Sequence, residues 1–317
     1  MFRRMKRALI NDVKEKSAAH LKRFEKFSFS SNKCFEEKQY EAVITRWQHT
    51  IEKGLAYVKF RPGFGKNNLN SLLTAMENYA LDGYSVDAFF YKTALSTLKE
   101  YQKKNELYGY VDEELNKRIE SLPGSPNKSG GILKFELLSK REVQSLGYAD
   151  FVHSRHSMRH FSEEPVEFEA VKSAIQLAQF TPSACNRQGW RTIVVADKQK
   201  MMEILSNQNG NEGFGQEFDK LLLIVADNRC FNRDRELFQA YIDGGMYAQS
   251  VLNALHYEHI AAVPLSAALK KEQEMRIRKI LQIHDAEDLI LFIGIGNYPQ
   301  EHQTARSERH EASFEVV

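Results

Sequence analysis

Residues 155–159 read Arg-His-Ser-Met-Arg, and residues 181–190 read Thr-Pro-Ser-Ala-Cys-Asn-Arg-Gln-Gly-Trp. The first segment places two guanidinium groups and a hydroxyl close together. The second is a turn with small polar groups that leads into the strand-like run Thr192–Ala196. Arginine presents a planar fork of donors that suits phosphate and carbonyl oxygens. Ser183 and Asn186 add short hydrogen-bonding groups, so the two segments predict a site that orients a polar ligand.

Four further features follow in the C-terminal half of the chain. Gly244–Leu255 predicts a long buried helix, and the run Ala262–Ser266 (Ala-Val-Pro-Leu-Ser) comes shortly after it. Leu289–Gly296 is an apolar strand that leads into Asn-Tyr-Pro. Arg306–Arg309 then supplies a basic pair near the C-terminus.

Taken in this order, these segments resemble the nitroreductase family, whose members use FMN. The resemblance covers roughly residues 150–317. It implies an α+β fold in which a mixed, mostly antiparallel sheet is wrapped by helices. It also implies an intimate homodimer with FMN at the subunit interface, and NAD(P)H as the reductant.

The same resemblance implies which residues bind FMN. The first segment is expected to contact the phosphate, the ribityl chain and the pyrimidine edge, and the loop Pro182–Gln188 is expected to reach the flavin of the other subunit. Ala262–Ser266 is expected to be a loop in which a backbone amide near Ser266 meets flavin N5. The implied FMN-binding residues are Arg155, His156, Ser157, Arg159, Pro182, Ser183, Asn186, Asn211, Pro264, Leu265, Ser266, Arg306 and Arg309.

Two expectations qualify this site. Gly189 stands where the family usually has proline, which predicts a looser loop. No side chain is expected to act as a catalytic acid or base, because the cofactor carries the chemistry and the protein holds it.

The chain has 317 residues, which favours two domains. The Pro- and Gly-rich stretch Leu122–Gly131 stops helices and strands alike. We therefore predict a helical domain over residues 1–122, a linker over 123–138 and a nitroreductase-like domain over 139–317. Apolar residues at three- and four-residue spacings and intervening turn residues predict four helices in the first domain. They are Glu36–Tyr57, Leu69–Leu81, Val86–Tyr101 and Val111–Leu122.

Helical and strand patterns alternate in the second half. The predicted helices are Val166–Phe180, Tyr241–Tyr257 and Glu272–Ile283. The predicted strands are the apolar or β-branched runs Arg191–Ala196, Leu221–Ala226 and Leu289–Ile295.

Composition excludes several classes of protein. No run approaches the roughly 18–20 apolar residues of a membrane span, and the basic N-terminus lacks the apolar core of a signal peptide. Three scattered cysteines lack metal-type spacing and fit a reducing compartment, so we expect a cytoplasmic protein. His49 and Glu52 would share a helix face, but no third ligand is near, so no metal site is expected.

Charge is uneven along the chain, although the net charge is only +2. Residues 1–131 contain 23 Lys and Arg against 16 Asp and Glu, and the remainder contains 21 against 26. Because acidic residues are interleaved and no recognition motif appears, nucleic acid is not expected as a partner. The opposite charges of the two halves favour docking of the helical half over the flavin site, where it would gate access of substrates.

The sequence therefore favours an FMN-dependent oxidoreductase that passes electrons from NAD(P)H to a small-molecule acceptor. No Gly-x-Gly-x-x-Gly signature follows a strand, so a separate dinucleotide-binding domain is not expected. An alternative stays open: a flavin-binding, non-catalytic or regulatory module whose helical half engages a partner. The N-terminal part also resembles regions that accompany nitroreductase-like domains in bacterial surface-polysaccharide loci.

Overall fold

The computed structural model describes residues 14–15, 17–18, 20–28, 36–232, 236–300 and 302–317. The basic residues 1–7 and Cys34 lie outside these ranges. The chain divides into two compact units. Glu136–His302 makes up most of the first, here called the sheet unit, and Leu21–Phe135 together with Gln303–Val317 makes up the second, here called the helical unit.

Helices precede the first strand, and helices and strands are mixed after it. The helices are α1 (Glu37–Leu55), α2 (Lys66–Leu81), α3 (Phe89–Leu107), α4 (Glu113–Ser121), α5 (Lys140–Ser145), α6 (Tyr148–Ser154), α7 (Phe168–Ala178), α8 (Lys198–Leu205), α9 (Gln239–Tyr257) and α10 (Lys271–Leu281). The strands are β1 (Ile132–Lys134), β2 (Trp190–Val195), β3 (Lys220–Asp227), β4 (Ala261–Ser266), β5 (Glu287–Gly296) and β6 (Gln303–Ala305).

The helical unit is built on the apolar stripe that the sequence predicts for its first helix. Val43, Ile44, Ile51 and Leu55 of α1 are buried, and they join a single core with the inward faces of α2 and α3. The prediction of an N-terminal helical region is therefore confirmed.

The division of the chain differs from the expected boundaries at both ends of the helical unit. Part of the expected linker forms β1, which pairs antiparallel with β6 near the C-terminus. The carboxylate of Glu52, which is 1% exposed, accepts hydrogen bonds from Gly131 N at 3.0 Å and Ser307 N at 3.3 Å. A buried carboxylate is costly unless donors surround it, so Glu52 holds both segments on α1.

The sheet unit contains a four-stranded sheet in the order β2-β3-β5-β4, with every pair antiparallel. Leu221–Ala226 of β3 is fully buried, as its continuous apolar run predicted. Helix α9 packs on the sheet through Tyr247 and Val251, which are at most 1% exposed, and the Tyr247 ring stacks on Trp190 of β2 with centroids 4.9 Å apart. The predicted α+β fold with a mostly antiparallel sheet is confirmed.

The run Ala262–Ser266 is a strand and not the loop that was expected. It lies in β4, the edge strand that pairs with β5 on one side. Proline usually interrupts a strand because it has no N–H for the ladder. On an edge strand Pro264 is tolerated when its nitrogen faces away from the partner strand.

Close packing inside the sheet unit predicts a sharp effect at Gly294. A Cβ atom at this position of β5 would overlap the ring of Phe218, which is fully buried. We expect Gly294→Ala to lower the free energy of unfolding by about 1–3 kcal/mol, the usual range for overpacking. Urea denaturation of the full chain checks this.

Gly147→Ala is the matched control, because Gly147 has an ordinary φ of −64° and no atom within 4 Å of the added Cβ. Equal stability of the Gly294→Ala and Gly147→Ala variants would contradict the packing described for β5.

Candidate functional site

Residues 155–159, here called the arginine segment, lie along the outer edge of β4. Helix α6 ends at Ser154, and Arg155 is its C-cap residue. Ser157 then forms a parallel bridge with Ala262, and Met158 N donates to Ala262 O at 3.0 Å. Met158 is fully buried. Residues 155–159 therefore extend the sheet locally beyond β4, and their polar side chains are carried on a fixed backbone.

The backbone N–H and C=O groups of β4 point alternately towards β5 and towards the arginine segment. In an antiparallel ladder the N–H and C=O of one residue point to the same side, and successive residues point to opposite sides. Ala262 O points outward, since it accepts from Met158. Pro264 and Ser266 therefore face outward as well, which explains why proline costs no ladder bond. The Ser266 amide N–H thus points to the edge of β4 along which the arginine segment lies.

A second loop is attached to the end of β4. Gln208, which is buried, donates through Nε2 to Ser266 O at 3.0 Å. Asn211 Nδ2 donates to Leu205 O at 2.8 Å and to Gln208 O at 2.7 Å. The amide of Asn211 thus holds its own loop, and Gln208 joins that loop to β4. Sequence reasoning missed Gln208, because only the fold shows that its partner lies 58 residues away.

Behind the arginine segment lies a buried imidazole. His256 of α9 is 5% exposed, and its Nε2 lies 2.8 Å from Ser154 Oγ. Its Nδ1 lies 3.4 Å from the hydroxyl of Tyr298. Burial, followed by the charge of Arg155 and the side chains of His156 and His259, lowers the pKa of His256 to about 4. This histidine is therefore neutral at pH 7.

The loop Pro182–Gln188 is held by two acidic side chains. Asp243 of α9, which is 2% exposed, accepts from Ala184 N at 3.1 Å. Arg187 forms two parallel hydrogen bonds of 2.8 Å with Glu236, and the Arg187 guanidinium lowers the pKa of Glu236 to about 2. Bidentate pairs of this kind fix geometry strongly.

The turn itself is tight. Cys185, Asn186 and Gln188 all have φ near +50°, a conformation that non-glycine residues adopt at some cost. Within it, Ser183 Oγ accepts from Gln188 N at 3.0 Å, whereas Pro182 and Asn186 are exposed. Asn186 is thus presented to solvent by a constrained backbone.

Gly189 allows Cys230 and Phe231 to pack closely against the end of this loop. A Cβ on Gly189 would lie 2.9 Å from Cys230 Cβ and 3.0 Å from the Phe231 ring. Trp190 Nε1 donates to Gln179 Oε1 at 3.1 Å, which ties the following strand to the end of α7. The expectation of a looser loop is therefore not what the structure shows.

The predicted site residues fall into three places. Arg155, His156, Ser157, Arg159, Pro264, Leu265 and Ser266 lie along β4, and Asn211 is joined to it through Gln208. Pro182, Ser183 and Asn186 precede β2, which is the opposite edge strand of the same sheet. Three strand spacings, about 14 Å, separate the two edges.

Arg306 and Arg309 lie in the third place, the C-terminal segment of the helical unit. Arg306 N donates to Gly131 O at 3.1 Å, and Arg309 donates to Ser307 O. Their assignment to the FMN phosphate stays a prediction.

Residues 14–317, apart from the gaps given above, contain no group of three or more His, Cys, Asp or Glu side chains that could hold a metal ion. Over the same ranges, no helix combines the length and the apolar character needed to cross a membrane.

The buried imidazole predicts a specific pH dependence of stability. The pKa of His256 is lower in the folded state, about 4, than the usual 6.5. As the pH falls below 6.5, the unfolded chain takes up a proton first, so folding loses up to about 3 kcal/mol between pH 6.5 and 4. His256→Gln should remove this part of the slope when the free energy of unfolding is measured at several pH values.

His153→Gln, which changes an exposed histidine of α6, is the matched control. A His256→Gln variant with the same pH dependence as the wild type would show that the imidazole is not neutral in the folded protein.

Parts of the chain are similar to known proteins. Residues 152–220 match the nitroreductase family. A Streptococcus pyogenes protein provisionally named NAD(P)H nitroreductase is 41% identical over 44 residues, which span 14% of this chain and 22% of that protein. An Archaeoglobus fulgidus protein provisionally named NADH dehydrogenase/NAD(P)H nitroreductase is 24% identical over 155 residues, or 47% of this chain and 84% of that protein.

Among solved structures, an FMN-dependent nitroreductase from Clostridium difficile R20291 is 20% identical. The match covers 51% of this chain and 96% of that one, with a TM-score of 0.42. The family that residues 152–220 match is the one that Arg155–Arg159 and Thr181–Trp190, which lie within this range, resemble.

Proposed function

We propose that this protein is an FMN-dependent oxidoreductase that takes electrons from NAD(P)H and passes them to a small-molecule acceptor. One observation carries the proposal: within a nitroreductase-family domain, the arginine segment and the outward-facing amide of Ser266 share one edge of β4. The names of the relatives from Archaeoglobus fulgidus and Clostridium difficile, which mention NAD(P)H and FMN, support the choice of cofactor and reductant.

The groups along β4 fit FMN chemically. Arg155 and Arg159 supply cationic, multidentate donors for a phosphate or a carbonyl edge. Ser157 supplies a short hydroxyl, and Ser266 a backbone N–H. FMN offers the matching acceptors, namely an anionic phosphate, a hydroxylated chain and an electron-rich ring edge. His156, Pro264, Leu265 and Asn211 complete the proposed binding surface.

The bound cofactor would supply two-electron redox chemistry. The role of the protein is to hold it, to place fixed donors at the ring edge and to exclude water. We assign the Ser266 N–H to the ring, because a backbone donor on a strand moves little. One arginine of the segment is assigned to the pyrimidine edge, where a fixed cation stabilises the negative charge that reduction creates.

The position of the loop Pro182–Gln188 bears on the oligomeric state of the protein. In the chain the loop precedes β2, whereas the arginine segment lies along β4, at the opposite edge of the sheet. One subunit would therefore complete its cofactor site with this loop from a second copy. We propose a homodimer in which Ser183 and Asn186 contact the flavin held by the partner.

Helix α9 offers a surface for such a dimer. Four large apolar side chains on its N-terminal half are 43–52% exposed. They recur at three- to four-residue spacings and form one apolar face, which is unusual for a surface left in solvent. The residues are Phe238, Tyr241, Ile242 and Met246.

The absorbance spectrum of the purified full chain tests the proposed function. A yellow protein that bleaches with NADH or NADPH, and recovers when an acceptor such as a quinone or nitroaromatic is added, supports it. A colourless protein that takes up no added FMN would contradict it. A flavin that neither nicotinamide reduces would favour the alternative, a flavin-binding regulatory module.

Arg155→Ala tests the phosphate contact. Charge-assisted hydrogen bonds to phosphate contribute about 1.5–3 kcal/mol each, so FMN affinity should fall roughly ten- to a hundredfold per contact. Isothermal titration of the flavin-free protein measures this. Arg141→Ala, which changes an exposed arginine on α5, should bind FMN like the wild type.

The Arg309→Ala variant tests the prediction for the C-terminal segment separately. If FMN affinity is unchanged in Arg155→Ala and Arg309→Ala alike, the assignment of the phosphate site is wrong.

Ile242→Asp tests the dimer. A carboxylate in the centre of the apolar face should dissociate the dimer and lower FMN content at the same time, because each site needs both subunits. Sedimentation velocity with detection at flavin wavelengths reports both properties. Met275→Asp, at an apolar side chain on α10 that is 60% exposed, should change neither, and a monomer that retains FMN would refute the shared site.

A further inference from the structure

The end of α6 lies against the imidazole of His256. Ser154 is the last residue of this helix, and its Oγ lies 2.8 Å from His256 Nε2. One turn earlier, the ring of Phe151 lies 5.1 Å from the imidazole, centroid to centroid. The residue that follows Ser154 is Arg155, so this contact fixes the helix end from which the arginine segment departs.

The hydrogen-bond pattern assigns the tautomer of His256. Ser154 Oγ donates its proton to Phe151 O at 3.0 Å, so towards His256 it can only accept. The Nε2 atom must then carry the hydrogen. Nδ1 is left as an acceptor, and the hydroxyl of Tyr298 at 3.4 Å is placed to donate to it. The bonds run in one direction, from Tyr298 through His256 and Ser154 to the backbone.

The same pattern excludes a hydrolytic role for the Ser154–His256 pair. A serine nucleophile needs a neighbouring nitrogen that can accept its proton. Here the neighbouring nitrogen is protonated, and the serine proton is used by Phe151 O. The pair is arranged to hold Ser154 in place.

Arg155 lies between two anchors. On one side Ser154 is bound to His256, and on the other Ser157 and Met158 are bound to Ala262. Only three positions separate Ser154 from Ser157, which leaves the intervening backbone little freedom. We propose that His256 is a positioning residue that acts through Ser154 to aim Arg155 at the phosphate of the cofactor. This inference rests on the proposed function.

A comparison of FMN with riboflavin tests this role, because riboflavin has the same ring and chain but no phosphate. Ser154→Ala and His256→Leu should weaken FMN binding about five- to tenfold, the effect of losing one neutral hydrogen bond. Their riboflavin affinity should match that of the wild type. His256→Gln, which keeps an N–H donor and an acceptor, should restore FMN affinity to within about twofold.

Equal losses for both flavins would overturn the inference, because the network would then only support the fold. Unchanged FMN affinity in Ser154→Ala, with a clear loss in Arg155→Ala, would overturn it too and leave the proposed function intact. A wild-type protein that binds neither flavin would overturn the proposed function itself. Ser154→Ala removes a single oxygen atom and should leave the fold intact. It therefore tests the positioning role even if His256→Leu does not fold.

Discussion

The backbone hydrogen bond from Met158 N to Ala262 O is the constraint on which the candidate site depends. It places the arginine segment beside β4 and fixes which residues of that strand face outward. Because Ala262 faces outward, Ser266 does as well, and its N–H is directed to the same edge as Arg155. A binding surface assembled from residues about a hundred positions apart thus follows from one contact between two extended segments.

Much of the fold, and part of the candidate site, could be predicted from the sequence. The apolar run Leu221–Ala226 is typical of a buried strand, and it lies in β3, one of the two central strands of the sheet. The stripe on α1 follows from helical spacing in the same way. The candidate site could be proposed because Arg155–Arg159 and Thr181–Trp190 carry chemistry that the local sequence displays, and both segments lie within residues 152–220, which match the nitroreductase family. Both kinds of inference use residues that are neighbours in the chain.

The remainder could not be predicted, because its partners are distant in sequence. Glu52 binds Gly131 and Ser307, which are 79 and 255 residues away, so the C-terminal segment belongs to the helical unit. The resemblance implied a loop at Ala262–Ser266, and nothing in the sequence shows that the Pro264 nitrogen faces outward from an edge strand. His256 looked like one more residue of a buried helix until its contact with Ser154, 102 positions earlier, was visible.

We propose that the cofactor site combines the β4 edge of one subunit with the loop before β2 of the other. Mixed dimers of differently tagged Arg155→Glu and Ser183→Glu subunits test it directly. Each variant alone should form a dimer without FMN. In the mixed dimer, one site receives Arg155 and the unchanged loop, and the other receives both substitutions. We predict a single FMN per mixed dimer, and a mixed dimer without FMN would contradict the account, since it would place both elements of each site in one subunit.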